Sequence, residues 1–349
     1  NDYERGAIDL TLSGKWEKWN GLAKVYRNFG EHEFSDGWHS KDFTNGMVLH
    51  GSARLFTGNE LTMGLELRQQ GGKKLATAKQ PNSGEWDKTE YAVFFHDEQT
   101  LLEKLILTFG ARYNYDDISG NDLSPQAGLV FHPIEGTIFR GTINKGFRSP
   151  QLNELYMFPP SNPDLKPERV WNYEVGINQR IVKGLYFDLV GFLMKGEGLI
   201  ERDPITNKFQ NIGEFEFKGI EAGLNVQFNK ELSGSIYYSY LNPGEKTTGR
   251  PGDKFDLVLM YTGNKLAASL SGQYVADYFA ADKKQKPIGD YFVASAKVSY
   301  EIKRGIRPFL AVDNIFGEKY EIYADLPGAE AGLYAMPRTA LTAGISFVF

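Results

Sequence analysis

Apolar and polar residues alternate along nearly the whole of this sequence. Alternation with a period of two puts one set of side chains on each face of a β-strand. Leu105, Leu107, Phe109, Ala111, Tyr113 and Tyr115 share one face, while Lys104, Thr108, Arg112 and Asn114 take the other. Trp171, Tyr173, Val175, Ile177 and Ile181 oppose Asn172, Glu174, Asn178 and Arg180. Leu61, Met63, Leu65 and Leu67 oppose Thr62, Glu66 and Arg68. Phe292, Ala294, Ala296, Val298, Tyr300 and Ile302 oppose Ser295, Lys297, Ser299 and Glu301. Helical periodicity fails nearly everywhere.

The pattern predicts about 17 strands. They fall at 6–15, 20–31, 45–56, 59–70, 86–97, 103–115, 122–132, 136–147, 169–182, 184–200, 211–228, 232–241, 251–262, 265–280, 288–303, 306–322 and 336–349. A sandwich would show turn signals every 8–12 residues, closer than here. The connections alternate in length. Thr57-Gly58-Asn59, Val182-Lys183-Gly184, Asn229-Lys230-Glu231, Gly263-Asn264 and Arg304-Gly305 are short, whereas 32–44, 71–85, 148–168, 201–210, 242–250, 281–287 and 323–335 are long. All tight turns then lie at one end of the sheet and all long loops at the other. Outer-membrane barrels have this pattern, with short periplasmic turns, long extracellular loops and strands that alternate apolar-out with polar-in.

Composition sharpens this reading. The chain has 349 residues, 24 Phe, 19 Tyr, 5 Trp, 38 Gly and no Cys. Many strands and many turns fit these numbers, while a disulfide framework or thiolate metal site does not. The net charge of −5 is no nucleic-acid-binding balance. The longest apolar runs are about five residues, against about 20 for a membrane helix. Trp16 and Trp19 flank a short turn, and Trp86 and Trp171 open strands at the long-loop end, as two interfacial girdles require. A soluble meander or propeller would also alternate, but its loops would not segregate by length. The minor face carries Lys, Arg, Glu, Asn and Gln in strand after strand, which suits a wet lumen.

Asn1 opens the chain with no apolar signal segment, as in a mature or trimmed polypeptide. If Phe349 ends in the periplasm, counting back 17 strands makes the first also run inward. Single-chain bacterial barrels have even strand numbers, so upstream strands are expected beyond Asn1.

The stretch KGFRSPQLNELYMFPPSNPDLKPERVWNYEVG (145–176) resembles the signature of TonB-dependent outer-membrane receptors. YAVFFHDE (91–98), FKGIEAGLN (217–225), VDNIFGEKYE (312–321) and PRTALTAGISFVF (337–349) are similar, in order, to further segments of that family. The resemblance runs from about residue 45 to the end. It implies an all-β, antiparallel transmembrane β-barrel with about 17 of 22 strands present, and a lumen filled by an N-terminal plug. Residues 1–349 would then be the C-terminal part of one barrel domain, with the plug and first strands outside the sequence. The implied function is TonB-energised uptake of a ferric siderophore or similar metal chelate across the Gram-negative outer membrane. The implied partners are the chelate, TonB through the N-terminal region, outer-membrane lipid and lipopolysaccharide, and the barrel-assembly machinery. A cobalamin or haem receptor of the same family and a passive porin-like channel stand as alternatives.

Candidate site residues follow from position. Arg148, Tyr156 and Phe158 lie in the proline-rich 148–168 loop, which either contacts ligand or serves as a rigid loop folded into the barrel mouth. Haem receptors of the family carry a His in this stretch, where this chain has Tyr156-Met157-Phe158. Arg112 and His50 fall on the lumen face as further ligand contacts. Lumen cations, Arg112 among them, are expected to steer an anionic chelate, opposed by Glu66, Glu174 and Glu301. His32 and His39, among Glu31, Glu33 and Asp36, have a spacing that suits a transition metal or a solvated loop. Asp116, Asp117 and Asp122 form an acidic hairpin loop, read as a Ca²⁺ site or a solvated turn. By resemblance to cobalamin receptors, Ca²⁺ in extracellular loops is the one cofactor expected, and none is tightly bound. Ile345, Phe347 and Phe349 face lipid and, by resemblance, carry the barrel-assembly signal. No GxSxG, HExxH, P-loop or GxGxxG pattern is present, so no enzyme is expected.

Overall fold

The computed structural model describes residues 1–349 except 158–159, 204–205, 325–331 and 348–349. In chain order the strands are β1 (Asp2–Lys15), β2 (Trp19–Glu33), β3 (His39–Ala53), β4 (Asn59–Lys74), β5 (Gly84–Leu101), β6 (Leu105–Asp116) and β7 (Gly120–Phe131). They continue as β8 (Thr137–Arg148), β9 (Glu168–Val182), β10 (Leu185–Arg202), β11 (Phe209–Gln227), β12 (Leu232–Asn242), β13 (Asp253–Thr262) and β14 (Leu266–Ala276). The last are β15 (Tyr278–Ala281), β16 (Gln285–Ile288), β17 (Tyr291–Tyr300), β18 (Ile306–Asp313), β19 (Glu321–Ala324), β20 (Gly332–Ala335) and β21 (Ala340–Phe347). Seventeen of them belong to one sheet, and β15–β16 and β19–β20 are separate two-stranded hairpins. Among the described residues, no helix is long and apolar enough to cross a membrane.

Two compact units can be distinguished. The first comprises 1–131, 142–173 and 195–214; the second comprises 132–141, 174–194 and 215–349. In the first, β1 to β7 pair in sequence order, each antiparallel to the next. In the second, β11 to β14 pair in order, followed by β14 with β17, β17 with β18 and β18 with β21.

Register turns the alternation into continuous rows. In the first unit Leu12, Ala23, Leu49, Leu65, Val93, Tyr113 and Leu123 are successive cross-strand partners on one face. Leu12, Leu49, Leu65, Val93, Tyr113 and Leu123 are all exposed. In the second unit Tyr238, Phe255, Tyr274 and Phe292 form an exposed aromatic row. Only ten apolar residues are buried among those described. An apolar face this extensive in water would be an aggregation surface; against lipid it is the stable arrangement.

The opposite face is polar and partly paved by aromatic rings. Tyr26 and Phe94 lie over Gly46 and Gly64 so closely that a Cβ at either glycine would fall inside the ring. These positions admit only glycine unless the ring moves.

Three sequence expectations change. Segment 265–280 divides, because Asp277 takes a left-handed φ of 52° and β15 turns away to pair with β16. Segment 306–322 ends as a strand at Asp313. Asn314, with φ 49°, donates from Nδ2 to the Glu318 and Pro337 carbonyls and accepts from the Glu318 amide. The separation of loop lengths is also less strict than expected. Strands β2 and β3 stay paired as far as Glu33 and His39, leaving only residues 34–38 as the tip. Backbone groups along the expected 32–44 loop are satisfied by the ladder instead of by solvent.

Candidate functional site

The 149–167 connection returns to the first unit through three charged clusters. The deepest is at Lys88, which is 3% exposed. Its Nζ donates to Glu90 Oε1 at 3.1 Å, Asp116 Oδ2 at 3.0 Å and the Pro150 carbonyl at 3.0 Å. An ammonium has three donors, so its capacity is filled. Register explains the cluster: Arg68, Glu90 and Asp116 are consecutive cross-strand partners on the polar face of β4, β5 and β6. Arg68 also binds Glu90. Asp116 Oδ1 accepts the amides of Ile118 and Ser119, both at 2.9 Å, so the same carboxylate shapes the β6–β7 turn.

Arg148 holds both ends of the connection. Its Nε and Nη2 grip Glu168 at 2.6 and 2.8 Å, and its Nη1 contacts both Glu154 oxygens at 3.1 and 2.9 Å. Glu168 also accepts the Ile200 amide at 2.7 Å. The third cluster joins Asp122 to Lys145 at 2.8 Å and to Arg169. Within the connection, Leu155 and Leu165 are 0% and 1% exposed. Asn162 donates to the Phe209 carbonyl at 2.8 Å, and Asn211 bonds both the Lys166 amide and its carbonyl at 2.8 Å. The proline-rich motif is therefore a braced element, and each Arg148 nitrogen is engaged inside it.

Beneath its first residues lies a recess of about 330 Å³, lined by the polar face of β4 to β6 and by residues 147–151. Among the described residues that line it, Arg68, Lys88, Arg112 and Arg148 face a single carboxylate, Glu90. Arg112 reaches Glu66 at 2.9 Å and Asn114 at 3.3 Å and lies over the Phe94 ring.

The other expected site residues have separate partners. Tyr156 stacks parallel to Trp86 with ring centroids 6.4 Å apart. Phe158 lies outside the described residues. His50 is half-buried on the polar face, in register with Leu22 and Gly64. His39 Nε2 bonds Glu31 at 2.7 Å, whereas His32 Nε2 sits 2.9 Å from Asp42 without hydrogen-bond alignment. Asp117 accepts the Thr89 amide at 3.0 Å. Asp116, Asp117 and Asp122 thus bind an ammonium, backbone amides and a Lys–Arg pair instead of converging on one point. Among the described residues, no three His, Asp or Glu side chains are placed to hold a metal ion. Ile345 and Phe347 are exposed on β21, and Phe349 lies outside the described residues. Sequence reasoning missed Lys88 and Glu90, although both carry the polar-face parity of β5.

In the second unit, the long connections are tied differently. Val275, Tyr278, Ile288 and Tyr291 form an apolar cluster against which Tyr320 and Tyr323 pack. Tyr278 Oη accepts the Tyr323 amide at 3.0 Å. Thr247, 1% exposed, donates to the Ala281 carbonyl at 2.9 Å, and Thr248 donates to Asp282 at 2.6 Å. Partial burial opposes charge on Asp282, but the Thr248 hydroxyl and amide, with Lys246 and Arg250, hold its pKa below the ordinary 3.8.

Comparison with known proteins places this architecture. The family described as "TonB dependent receptor-like, beta-barrel" matches residues 2–315. An iron-regulated outer membrane virulence protein of Vibrio cholerae is 26% identical over 282 residues, covering 72% of this chain and 42% of that protein. The ferrienterobactin receptor of Escherichia coli is 22% identical over 368 residues, covering 82% and 49%. The chain thus spans less than half the length of either relative. The crystal structure of a ferric enterobactin receptor from Pseudomonas aeruginosa superposes with a TM-score of 0.79 at 17% identity, covering 99% of this chain and 62% of that one.

Proposed function

Because the chain belongs to the TonB-dependent receptor β-barrel family, we propose that it is barrel wall from an outer-membrane receptor that takes up a ferric siderophore with TonB-supplied energy. Members of this family are transport receptors of the Gram-negative outer membrane, not enzymes. The family match over residues 2–315 carries the reading, supported by iron-related names among the relatives. The exposed apolar rows face lipid, and the polar face lines the passage. The braced 149–167 connection gives the loop end a rigid rim.

A cobalamin receptor is the second reading, since a vitamin B12 transporter of Vibrio vulnificus is 24% identical over 63% of this chain. One experiment decides between them: titration of the full-length receptor with ferric catecholate and hydroxamate siderophores, haem and cobalamin. Saturable binding of a ferric siderophore alone is the expected result. Selective cobalamin binding would replace it with the second reading. No binding, together with free passage of small solutes in planar bilayers, would overturn active uptake.

A further inference from the structure

A second recess, of about 470 Å³, lies on the apolar side of the sheet, beside the two ends of the 149–167 connection. Parity sets its position. Tyr113 and Leu123 line it and belong to the exposed apolar row of β6 and β7. Lys145 lines it from β8 with the parity of the exposed Ile143, and Trp171 from β9 with the parity of the exposed Tyr173. The strands that build it, β6 to β10, each have hydrogen-bonded neighbours on both edges. The recess therefore opens outward, toward lipid, and not onto the polar wall.

Its charges are held from within. Asp122 is 5% exposed and binds two cations, its Oδ1 accepting from Lys145 Nζ at 2.8 Å and its Oδ2 from Arg169 Nε. Lys145 Nζ also donates to the Leu123 carbonyl at 3.0 Å, which leaves one of its three donors open. Neither Nη of Arg169 has an acceptor among the described residues. A buried carboxylate thus fixes an ammonium and a guanidinium while their remaining donors stay free, an arrangement that recognises phosphate oxygens. Glu197 lines the same recess from β10, is exposed and has no partner among the described residues. A purely anionic ligand would be repelled by this carboxylate. A ligand carrying both a phosphate and an ammonium satisfies all three groups, and the Tyr113 and Trp171 rings favour a cationic head.

We propose that this recess binds the zwitterionic headgroup of a membrane lipid, a phosphate joined by a short link to a primary amine. Lys145 and Arg169 take the phosphate oxygens, and Glu197 takes the ammonium. What adjoins the site identifies the source as a lipid. Leu123, Ile143 and Tyr173 are exposed on the same face, so acyl chains continue from the headgroup along apolar wall. The site rests on the lipid-facing reading of that wall and is independent of which chelate the receptor transports.

Isothermal titration of the detergent-purified full-length receptor with dihexanoyl phosphatidylethanolamine, and separately with dihexanoyl phosphatidylglycerol, tests it. The two lipids share chains and phosphate, and only the first carries an amine. Saturable binding of the first, about tenfold tighter than of the second, is expected. Glu197→Gln should abolish that preference, and Arg169→Gln should weaken both lipids about tenfold. Lys218→Gln, which removes an exposed cation of β11 paired with Glu216, should change neither. Should Arg169→Gln fail to fold because Asp122 is buried, Glu197→Gln, at an exposed and unpaired side chain, decides the matter. Equal affinity of the parent for both lipids would overturn the proposal, as would a preference that survives Glu197→Gln. Free O-phosphoethanolamine should bind about tenfold more weakly than the lipid, and equal binding would exclude the membrane as the source. An absence of saturable lipid binding also defeats the proposal, whatever the chelate titration shows.

Discussion

The 149–167 connection of the first unit and the 277–290 connection of the second are both fixed at their bases, by forces with different rules. The first is held by ionic groups: Lys88 bound to three acceptors, and each Arg148 nitrogen to one of two carboxylates. The second rests on packed rings and aliphatics around Tyr278 and Tyr291, with hydroxyl ties at Thr247 and Thr248. Buried ionic groups need one geometry and fail sharply when a partner is lost. Apolar packing has no direction and yields in proportion to what is removed. One base therefore selects a conformation, and the other mainly adds stability.

The most severe test of that contrast is Lys88→Met. It leaves Asp116 and Glu90, 1% and 5% exposed, without their ammonium, and should cost about 3–5 kcal/mol in urea unfolding. Adding Asp116→Asn should recover part of the loss; a neutral Lys88→Met would break the ionic account. Tyr278→Ala removes a ring that is 7% exposed and should cost about 3 kcal/mol, whereas Tyr278→Phe loses only the hydroxyl's bonds to the Tyr323 amide and carbonyl, about 1 kcal/mol. A full loss from Tyr278→Phe would show that the aromatic base is as directional as the ionic one. Thr248→Val should cost about 1 kcal/mol, read as faster hydrogen exchange in residues 243–252.

The smallest effect is that of pH on Asp282. Its folded pKa is lowered, so its contribution is complete above the unfolded value near 3.8 and is lost as pH falls through the folded value. Protection of the Thr248 amide, corrected for intrinsic exchange, should hold at pH 6 and decline below pH 3.8. Equal protection at pH 6 and pH 2 would remove Asp282 from the tie.

Much of the architecture is legible in the sequence. Alternation alone located the strands of the sheet, because a face against lipid and a face against water impose opposite demands on neighbouring residues. Breaks that depend on one dihedral were not legible. Alternation does not mark Asp277 or Asn314 as breaks, although both adopt positive φ and Asp and Asn are the non-glycine residues that enter that region most readily. The motif at 145–176 is recognisable in the sequence, but there the role of Arg148 stays open between ligand contact and loop rigidity. Its carboxylate partners, Glu154 and Glu168, are 6 and 20 residues away and meet it only through the fold. Lys88 gave no signal because Glu85-Trp86-Asp87-Lys88-Thr89-Glu90 reads as a polar strand end. Only the register that aligns Arg68, Glu90 and Asp116 shows that its ammonium is buried.

The bracing of the 149–167 connection also bears on how such a receptor can diversify. Pro150 fixes its departure from the sheet through Lys88, and Glu168 fixes its return through Arg148. Between those points Glu154, Leu155, Asn162 and Leu165 belong to the brace, and the exposed residues beside them do not. Substitutions at the exposed positions of the connection can accumulate without moving the strands that flank it. A lineage can then try new surface chemistry at the rim on an unchanged wall, and the charged anchors are what make that separation heritable.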